Sequence, residues 1–368
     1  MTDIKDMRDD TTTVTGGTAD DTGEPVDPTT PATKGECPLS VVIITENEAD
    51  QIADCIKSVF VACRTLPAFE VILVDSASTD RTVDIAREYP ITILRIPDAH
   101  TVSCGAGRFV GDQVARGELV LHVDGDMTLT DEWLPQAIDY LQSHSETVGV
   151  EGWLDRAKAT TVADADAIGG VTLYDAEALA DIGGFDPFLR GYEDIDVGFR
   201  LTTAGKRLVT LPSVSAVHND EQAVTEPIRR LRQGYFLAPG QAIRKHYNSP
   251  AILRKLVTRQ QYKLSLLAWI GAGVVSLISL PLVSIWLLGS IAGVAAIAHR
   301  RGVLGTVDFL GTKLLAIAGV AAGLRRPPQP ASAYPLSAVE VVATGRVLDG
   351  SSLEVPADAA ASPPPSND

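Results

Sequence analysis

From Leu264 to Ala298 the chain runs 35 residues without a charged side chain. A helix rises about 1.5 Å per residue and the hydrocarbon core of a bilayer is about 30 Å thick, so this run is too long for one straight span. Pro281, near its middle, removes a helix hydrogen bond and breaks or kinks the helix there. Arg254, Lys255, Arg259 and Lys263 precede the run, and Arg300 and Arg301 follow it. Positive flanks mark the cytoplasmic side, so both ends are expected there. The expectation is a two-span hairpin over 264–300 in a multi-pass cell-membrane protein with a cytoplasmic soluble domain. One tilted span is the alternative. A buried core hairpin is disfavoured because Leu, Ile, Val and Gly continue without a polar face. A further apolar run, Val303–Leu324, contains Asp308 and Lys313 and ends at Arg325-Arg326. It is expected to be a third span or an interfacial helix over 301–326.

The rest of the chain is different in kind. Its 47 acidic and 31 basic residues give a formal net charge of -16, which excludes a nucleic-acid partner needing a basic face. An acidic, Lys-poor surface suits a salt-rich cytoplasm. Cys37, Cys55, Cys63 and Cys104 lack metal-ligand spacing and read as reduced thiols. Residues 1–36 carry hardly any large apolar side chain and form an acidic tail expected to be disordered; 327–368 are expected to be mostly disordered too.

Between 37 and 221 apolar runs alternate with helical patterns. Ser40–Thr45, Val71–Val74, Ile91–Ile96 and Leu119–Val123 read as strands. Glu48–Cys63, a stretch ending near Glu88, Gly105–Arg116, Asp131–Gln142 and 193–204 read as helices. Such alternation predicts an α/β domain with a mostly parallel sheet and helices on both faces. Ligands then sit at the carboxyl ends of the strands. Those ends are polar here: Thr45-Glu46-Asn47-Glu48, then Asp75 to Asp80, then Asp124-Gly125-Asp126. Taken singly, Asp75 and Asp80 also suit turn and cap positions.

In extended geometry Asp124 and Asp126 point the same way. Two carboxylates so close repel unless a cation lies between them. A hard divalent ion, Mg2+ or Mn2+, binds through one or two carboxylates and a substrate's phosphates. No glycine-rich phosphate loop follows the first strand, so the diphosphate is expected to be neutralised by metal and not by a helix N-terminus.

The ordered set S-V-V-I-I-T-E-N-E-A-D (40–50), I-L-V-D-S-A-S-T-D-R-T (72–82), V-D-G-D (123–126), G-G-F-D-P-F-L (183–189) and Y-E-D-I-D-V-G-F-R-L (192–201) resembles the family 2 glycosyltransferases of GT-A fold. The resemblance covers about 37–220. It departs in S-C-G-A-G-R-F-V-G-D, where Asp112 stands in place of a common Asn. It implies a GT-A nucleotide-diphospho-sugar transferase fold with C-terminal transmembrane helices. It implies that Thr45, Glu46, Glu48 and Asp75 line the nucleotide pocket, that Arg108 faces the donor phosphates, and that Asp124 lies near the ribose or metal. Asp126 would be the main metal ligand and His218 would complete the site. Asp194 would be the general base, Glu193 would orient the acceptor, and Gly183–Asp186 would wall the acceptor side. For Glu193, Asp194 and Asp196 a purely structural role at a helix start is the alternative.

A base is needed because a sugar hydroxyl is a poor nucleophile until its proton is being removed. It must face the side of the anomeric carbon opposite the leaving diphosphate, on an element remote from Asp126, which gives inversion. The basic stretch 222–263, with Arg229, Arg230, Arg232, Gln233, Tyr235, Arg244 and Lys245, resembles the family segment that closes over the donor and leads to the membrane. Anionic lipid is its alternative partner. The expected function is an inverting, metal-dependent transfer of a hexose-type sugar from a nucleotide sugar to a lipid-linked, dolichyl or polyprenyl phosphate glycan acceptor. Surface-glycan or protein N-glycosylation assembly in an archaeal, halophilic setting fits that acceptor. The alternatives are a polyprenyl-phosphate sugar synthase and a non-catalytic nucleotide-sugar-binding membrane protein.

Overall fold

The structure, a computed structural model, describes residues 26–218 and 234–352. Four parallel strands form its centre: β1 (Cys37–Thr45), β2 (Phe69–Ser76), β3 (Thr92–Ile96) and β4 (Gly117–Asp124). Their spatial order is β3-β2-β1-β4. The chain therefore winds one way from β1 and then crosses to its other edge, which opens a crevice beyond the carboxyl ends of β1 and β4. Helices α1 (Ile52–Cys63), α2 (Thr82–Ala86), α3 (Cys104–Val114) and α4 (Trp133–Ser143) make the connections.

Strand β1 explains why both faces are covered. Val41 and Ile43 feed one core with Ile56, Val59 and Trp133; Val42 and Ile44 feed the other with Val110 and Val197. Helix α3 comes unusually close to this strand. A Cβ on Gly107 would lie 2.8 Å from the Ile44 side chain, and one on Gly111 would lie 2.4 Å from that of Val42.

The sheet is mixed, which corrects the mostly parallel expectation. Strand β5 (Met127–Leu129) pairs antiparallel with β9 (Arg207–His218), and β8 (Thr172–Asp175) is wedged antiparallel between β4 and β6 (Thr147–Leu154). The short β7 (Ala163–Ala165) pairs antiparallel with β9, while β6 and β9 are parallel. No crossover helix separates β6, β7 and β8, so nothing brings the chain back to a parallel direction. Helices α5 (Ala176–Asp181) and α6 (Glu193–Thr203) follow.

Two expected tails prove partly structured. Ala32 N–H donates to the Gln113 carbonyl at 2.7 Å, and Lys34 Nζ donates to the Asp112 and Ala115 carbonyls at 2.7 and 2.5 Å, which ties 26–36 to the end of α3. At the other end β10 (Glu340–Ala343) adds antiparallel to β3, and Leu348 bridges Phe69. These residues cover an edge that would otherwise present unpaired backbone groups. Residues 1–25, 219–233 and 353–368 lie outside the described residues, and with them Arg229, Arg230, Arg232 and Gln233.

The helical C-terminal part is α7 (Ala238–Lys245), α8 (Pro250–Arg259), α9 (Gln261–Ser276) and α10 (Leu280–Leu324). Helices α7 and α8 pack on Phe199 of α6 through Ala242, Ile252 and Leu256. Among the described residues one helix, α10, is long and apolar enough to cross a membrane; its most apolar window has a mean hydropathy of 2.1 and no residue buried within the protein. The expected multi-pass arrangement is thus corrected to one candidate span, with 301–326 expected as a third span or an interfacial helix. The first apolar run ends after a 16-residue helix, about 24 Å long. The remaining apolar residues form α10, two helical segments that meet at Gly302, whose φ of 73° and ψ of 170° are not helical. The last turns of α10 dock on the soluble part, with Gly319 and Gly323 against the backbone of Phe236 and Leu237.

Candidate active site

The crevice at the ends of β1 and β4 holds a cavity of about 380 Å³. Thr45, Glu46, Glu48, Asp124, Gly125 and Asp126 line it from the strand ends. The register sets this up, since Ile44 is opposite Asp124 and Thr45 is opposite Asp75. Gly125 N–H donates to the Ile44 carbonyl at 2.8 Å, and a Cβ on Gly125 would meet Thr45 at 3.0 Å, so a side chain here would crowd the neighbouring strand end.

Asp124 and Asp126 do not share one partner. Strand β4 ends at Asp124, and the turn at Gly125 cancels the parity that would aim both acids alike. Asp124 Oδ1 accepts from Arg108 Nη2 at 2.7 Å. Asp126 Oδ2 lies 2.9 Å from His218 Nε2, because Met127 of β5 pairs with His218 of β9. Of the three expected metal ligands the structure brings Asp126 and His218 together and pairs Asp124 with Arg108. Among the described residues no three acidic, His or Cys side chains cluster to hold a metal. The pair still fits a hard cation: Asp126 Oδ1 is buried without a hydrogen-bond partner, and a substrate diphosphate would supply the missing oxygen ligands.

Arg108 is the centre of the site's electrostatics. It is 4% exposed, and its Nη1 donates to Glu193 Oε1 at 2.7 Å while its Nη2 holds Asp124. Burial opposes its charge, but the two carboxylates hold it firmly protonated. Burial pushes the Asp124 carboxyl upward, against the pull of Arg108 and with the nearby Asp126 adding to the rise. Burial likewise lifts Glu193 to about 7, opposed by Arg108 and aided by Asp194. Arg108 does not line the cavity; it braces the carboxylates behind it, beside the Phe185 ring at 5.6 Å.

Glu193 and Asp194 open α6 behind a strained turn. Gly191 has φ 133° and Tyr192 has φ 66°, a left-handed conformation uncommon for a non-glycine residue. Asp194 Oδ1 accepts from the Ile195 N–H at 2.7 Å, and a Cβ on Gly169 would lie 2.5 Å from Asp194 Oδ2. Asp196 is a structural hub, with bonds to Arg200 Nε at 2.9 Å, Lys245 Nζ at 3.0 Å and His246 Nε2 at 2.5 Å. Lys245 therefore faces acids at 2.7 Å (Asp186) and 3.0 Å (Asp196), and does not line the cleft.

Other expected residues divide similarly. Asp75 is fully buried and does not line the cavity; Ser78 N–H donates to its Oδ2 at 3.1 Å, its Oδ1 has no hydrogen-bond partner, and burial raises its carboxyl. Asp80 takes the turn role, accepting from Thr82 and from Ala49 N–H. Gly183 and Gly184, both at positive φ, end α5, while Asp186 turns to Lys245.

The motif reading missed the roof of the cleft. Val102, Ser103 and Cys104 line it from the N-terminal end of α3, where Ala106 N–H donates to Ser103 Oγ at 3.1 Å. A helix N-terminus thus faces the cleft. Arg190, Gly191 and Tyr235 close the opposite side, and the Tyr235 hydroxyl is 3.4 Å from Cys104 Sγ. The Ser before a helical run was the available signal for α3; Tyr235 belongs to the stretch expected to close over the donor, while Arg190 follows no spacing rule.

Residues 40–162 match the family described as Glycosyl transferase family 2. Among curated proteins, the poly(ribitol-phosphate) beta-N-acetylglucosaminyltransferase TarS of Staphylococcus aureus is 33% identical over 113 residues, covering 30% of this chain and 20% of TarS. The undecaprenyl-phosphate 4-deoxy-4-formamido-L-arabinose transferase of Edwardsiella ictaluri is 28% identical over 120 residues, covering 30% of this chain and 36% of that protein. The matches thus span only about a fifth to a third of these relatives. Among solved structures, the mannosyltransferase PcManGT from Pyrobaculum calidifontis, in complex with GDP-Man and Mn2+, aligns with a TM-score of 0.54 at 20% identity. The alignment covers 82% of this chain and 89% of that one, a likeness of fold. Residues 40–162, which carry the crevice at the β1/β4 switch point, thus match the family 2 glycosyltransferases, and the chain has the GT-A fold.

Proposed function

We propose that the protein is a membrane-associated, metal-dependent, inverting glycosyltransferase that moves a hexose-type sugar from a nucleotide sugar to a lipid-linked acceptor. The observation that carries this reading is the pairing of a polar strand-end cleft with a separate acidic helix start, bridged by Arg108 between Asp124 and Glu193. Thr45, Glu46 and Glu48 flank the nucleoside at the end of β1, and the buried Asp75 beside Thr45 backs them. Asp126 and His218 would hold Mg2+ or Mn2+, which supplies Lewis-acid neutralisation of the leaving diphosphate.

On the other side Asp194 accepts the proton of the attacking hydroxyl. Glu193 stays fixed to Arg108, which keeps the first turn of α6 in place while charge develops. The exposed apolar surface of α9 and α10, with Leu277 at 73% and Leu280 at 80% exposure, supports anchoring in lipid. The undecaprenyl-phosphate named for one relative supports a lipid-borne acceptor. Surface-glycan or protein N-glycosylation assembly is a setting in which such an acceptor occurs.

A second reading has the lipid phosphate itself as nucleophile. It is favoured by the position of Glu193 and Asp194, neither of which lines the cleft cavity. A phosphate needs no base, so the two readings part at Asp194→Asn. The full chain should be assayed with UDP- and GDP-sugars, Mn2+ and lipid-linked acceptors, with the product linkage identified. Hydroxyl transfer abolished by Asp194→Asn with donor binding kept supports the first reading; unchanged transfer to lipid phosphate supports the second.

A further inference from the structure

A second cavity, of about 200 Å³, lies next to the cleft and shares one residue with it, Arg190. Its charged lining is Arg190, Lys245, Arg326 and Asp186. Lys245 is neutralised by Asp186 at 2.7 Å and Asp196 at 3.0 Å. Arg190 is half-buried, its guanidinium donates to the Val102 carbonyl at 3.3 Å, and no described carboxylate pairs with it. Nor does any described carboxylate pair with Arg326. Two guanidinium charges thus converge on one small cavity with no described carboxylate paired to either, and burial first, then the nearness of Arg326, makes the Arg190 charge harder to hold. Arg326 is itself exposed, but a like charge set beside the half-buried Arg190 is unfavourable unless an anion joins the two.

The position of the cavity says which anion. Helix α10 ends at Leu324, and Arg326, Pro327 and Pro328, immediately after it, form one wall. The opposite wall, Phe188 and Leu189, runs through Arg190 into the cleft. A group entering from the apolar helix therefore meets the two arginines before it meets the donor. Arginine presents a planar fork matched to phosphate oxygens. We infer that Arg190 and Arg326 bind the phosphoryl headgroup of an isoprenoid-type lipid acceptor and deliver it from the end of α10 to the cleft. The inference rests on the proposed transfer to a lipid-linked acceptor and adds the residues that recognise its phosphate.

The test uses the full chain in detergent, with geranyl phosphate, geraniol, inorganic phosphate, UDP and GDP as probes in calorimetric titration. Geranyl phosphate should bind at least about tenfold more tightly than geraniol or inorganic phosphate. Arg326→Gln should weaken geranyl phosphate about tenfold, one charge-assisted contact, with nucleotide affinity kept within about twofold. The pair Arg190→Gln/Arg326→Gln should lose about 100-fold, and Arg190→Lys/Arg326→Lys should regain most of it, which separates charge recognition from misfolding. Geraniol or inorganic phosphate binding as tightly as geranyl phosphate overturns the inference, as does a nucleotide-affinity loss in Arg326→Gln that exceeds the lipid loss. Failure of wild type to bind any nucleotide sugar sinks the transferase reading instead, while the geranyl phosphate titrations still report on the cavity.

Discussion

Arg108 and Glu193, 85 residues apart in sequence, meet at 2.7 Å, and the same guanidinium holds Asp124 at 2.7 Å. The end of β4 and the start of α6, the proposed donor and acceptor sides, are therefore locked through one buried cation. Removing one partner of a buried charge cluster leaves the others uncompensated, at a cost of about 3–5 kcal/mol. Arg108→Met should lower unfolding stability by that amount at neutral pH. The deficit should narrow as pH falls, because both acids titrate upward of their ordinary range through burial. Chemical denaturation at two pH values checks this, and a deficit that grows in acid contradicts it.

Asp126 and His218 are expected to be the only protein groups on the donor's metal. Donor binding should require Mn2+ or Mg2+ and vanish on chelation. Asp126→Ala should lower kcat/KM by about 100-fold or more, consistent with a Lewis-acid contribution of several kcal/mol. His218→Gln should weaken apparent metal affinity less. Titration calorimetry with and without metal is the measurement, and metal-independent donor binding by wild type would remove the role.

These two predictions show what the sequence could and could not disclose. The strand-helix alternation, the polar strand ends and the acid pairs were all legible, because burial and period leave local marks on a chain. The split of Asp124 from Asp126 was not, because it depends on where β4 stops and on which side chain, Arg108 or His218, arrives from elsewhere. The antiparallel β8 was hidden for a related reason: four residues, Thr172–Asp175, are too few to show a period. The return of β10 to the sheet was hidden by its Ala/Pro-rich surroundings. Arg190 belongs to a loop, and its meeting with Tyr235 at the cleft is a product of the whole fold.

The carboxylate of Asp194 is set against Gly169, and Gly169 N–H donates to Glu151 Oε2 at 3.0 Å. A Cβ at 169 would press on Asp194 Oδ2 at 2.5 Å. Gly169→Ala should therefore move the base while leaving the donor cleft alone. A well-placed base contributes about 100- to 10,000-fold. We expect kcat for hydroxyl acceptors to drop at least about tenfold with donor KM within about twofold. Steady-state kinetics with both substrates varied will decide; a change confined to donor KM argues against this arrangement.

Asp196 pairs with Arg200 within α6 and ties α6 to the end of α7 through Lys245 and His246. Burial works against its charge, but the His246 bond and the three cationic neighbours hold its carboxyl well below the usual carboxylate range. A group with a depressed native value stabilises the fold above its unfolded pKa, about 3.9, and loses that contribution as pH falls toward the native value. Asp196→Asn should thus be destabilised by about 3 kcal/mol at pH 7, with the gap closing below about pH 4. Thermal unfolding of both proteins across that range tests the sign.

The apolar surface of α10 ought to be the membrane-binding element. Ile285 is 65% exposed and Leu288 is 67% exposed, both before the Gly302 kink, on a segment about 33 Å long at ~1.5 Å per residue. A charged residue near the centre of a spanning helix costs about 2.5–3.5 kcal/mol in insertion. Leu288→Asp should therefore shift the protein from the membrane pellet toward the soluble fraction, and Ile285→Asp/Leu288→Asp further. Helix α9 alone should not hold the protein, because 16 residues fall short of the hydrocarbon core. Carbonate-resistant pelleting of the variants measures this. Undiminished pelleting of the double variant would assign the anchor to another surface, whereas loss of pelleting with donor binding kept would place the anchor on α10 and separate it from the cleft.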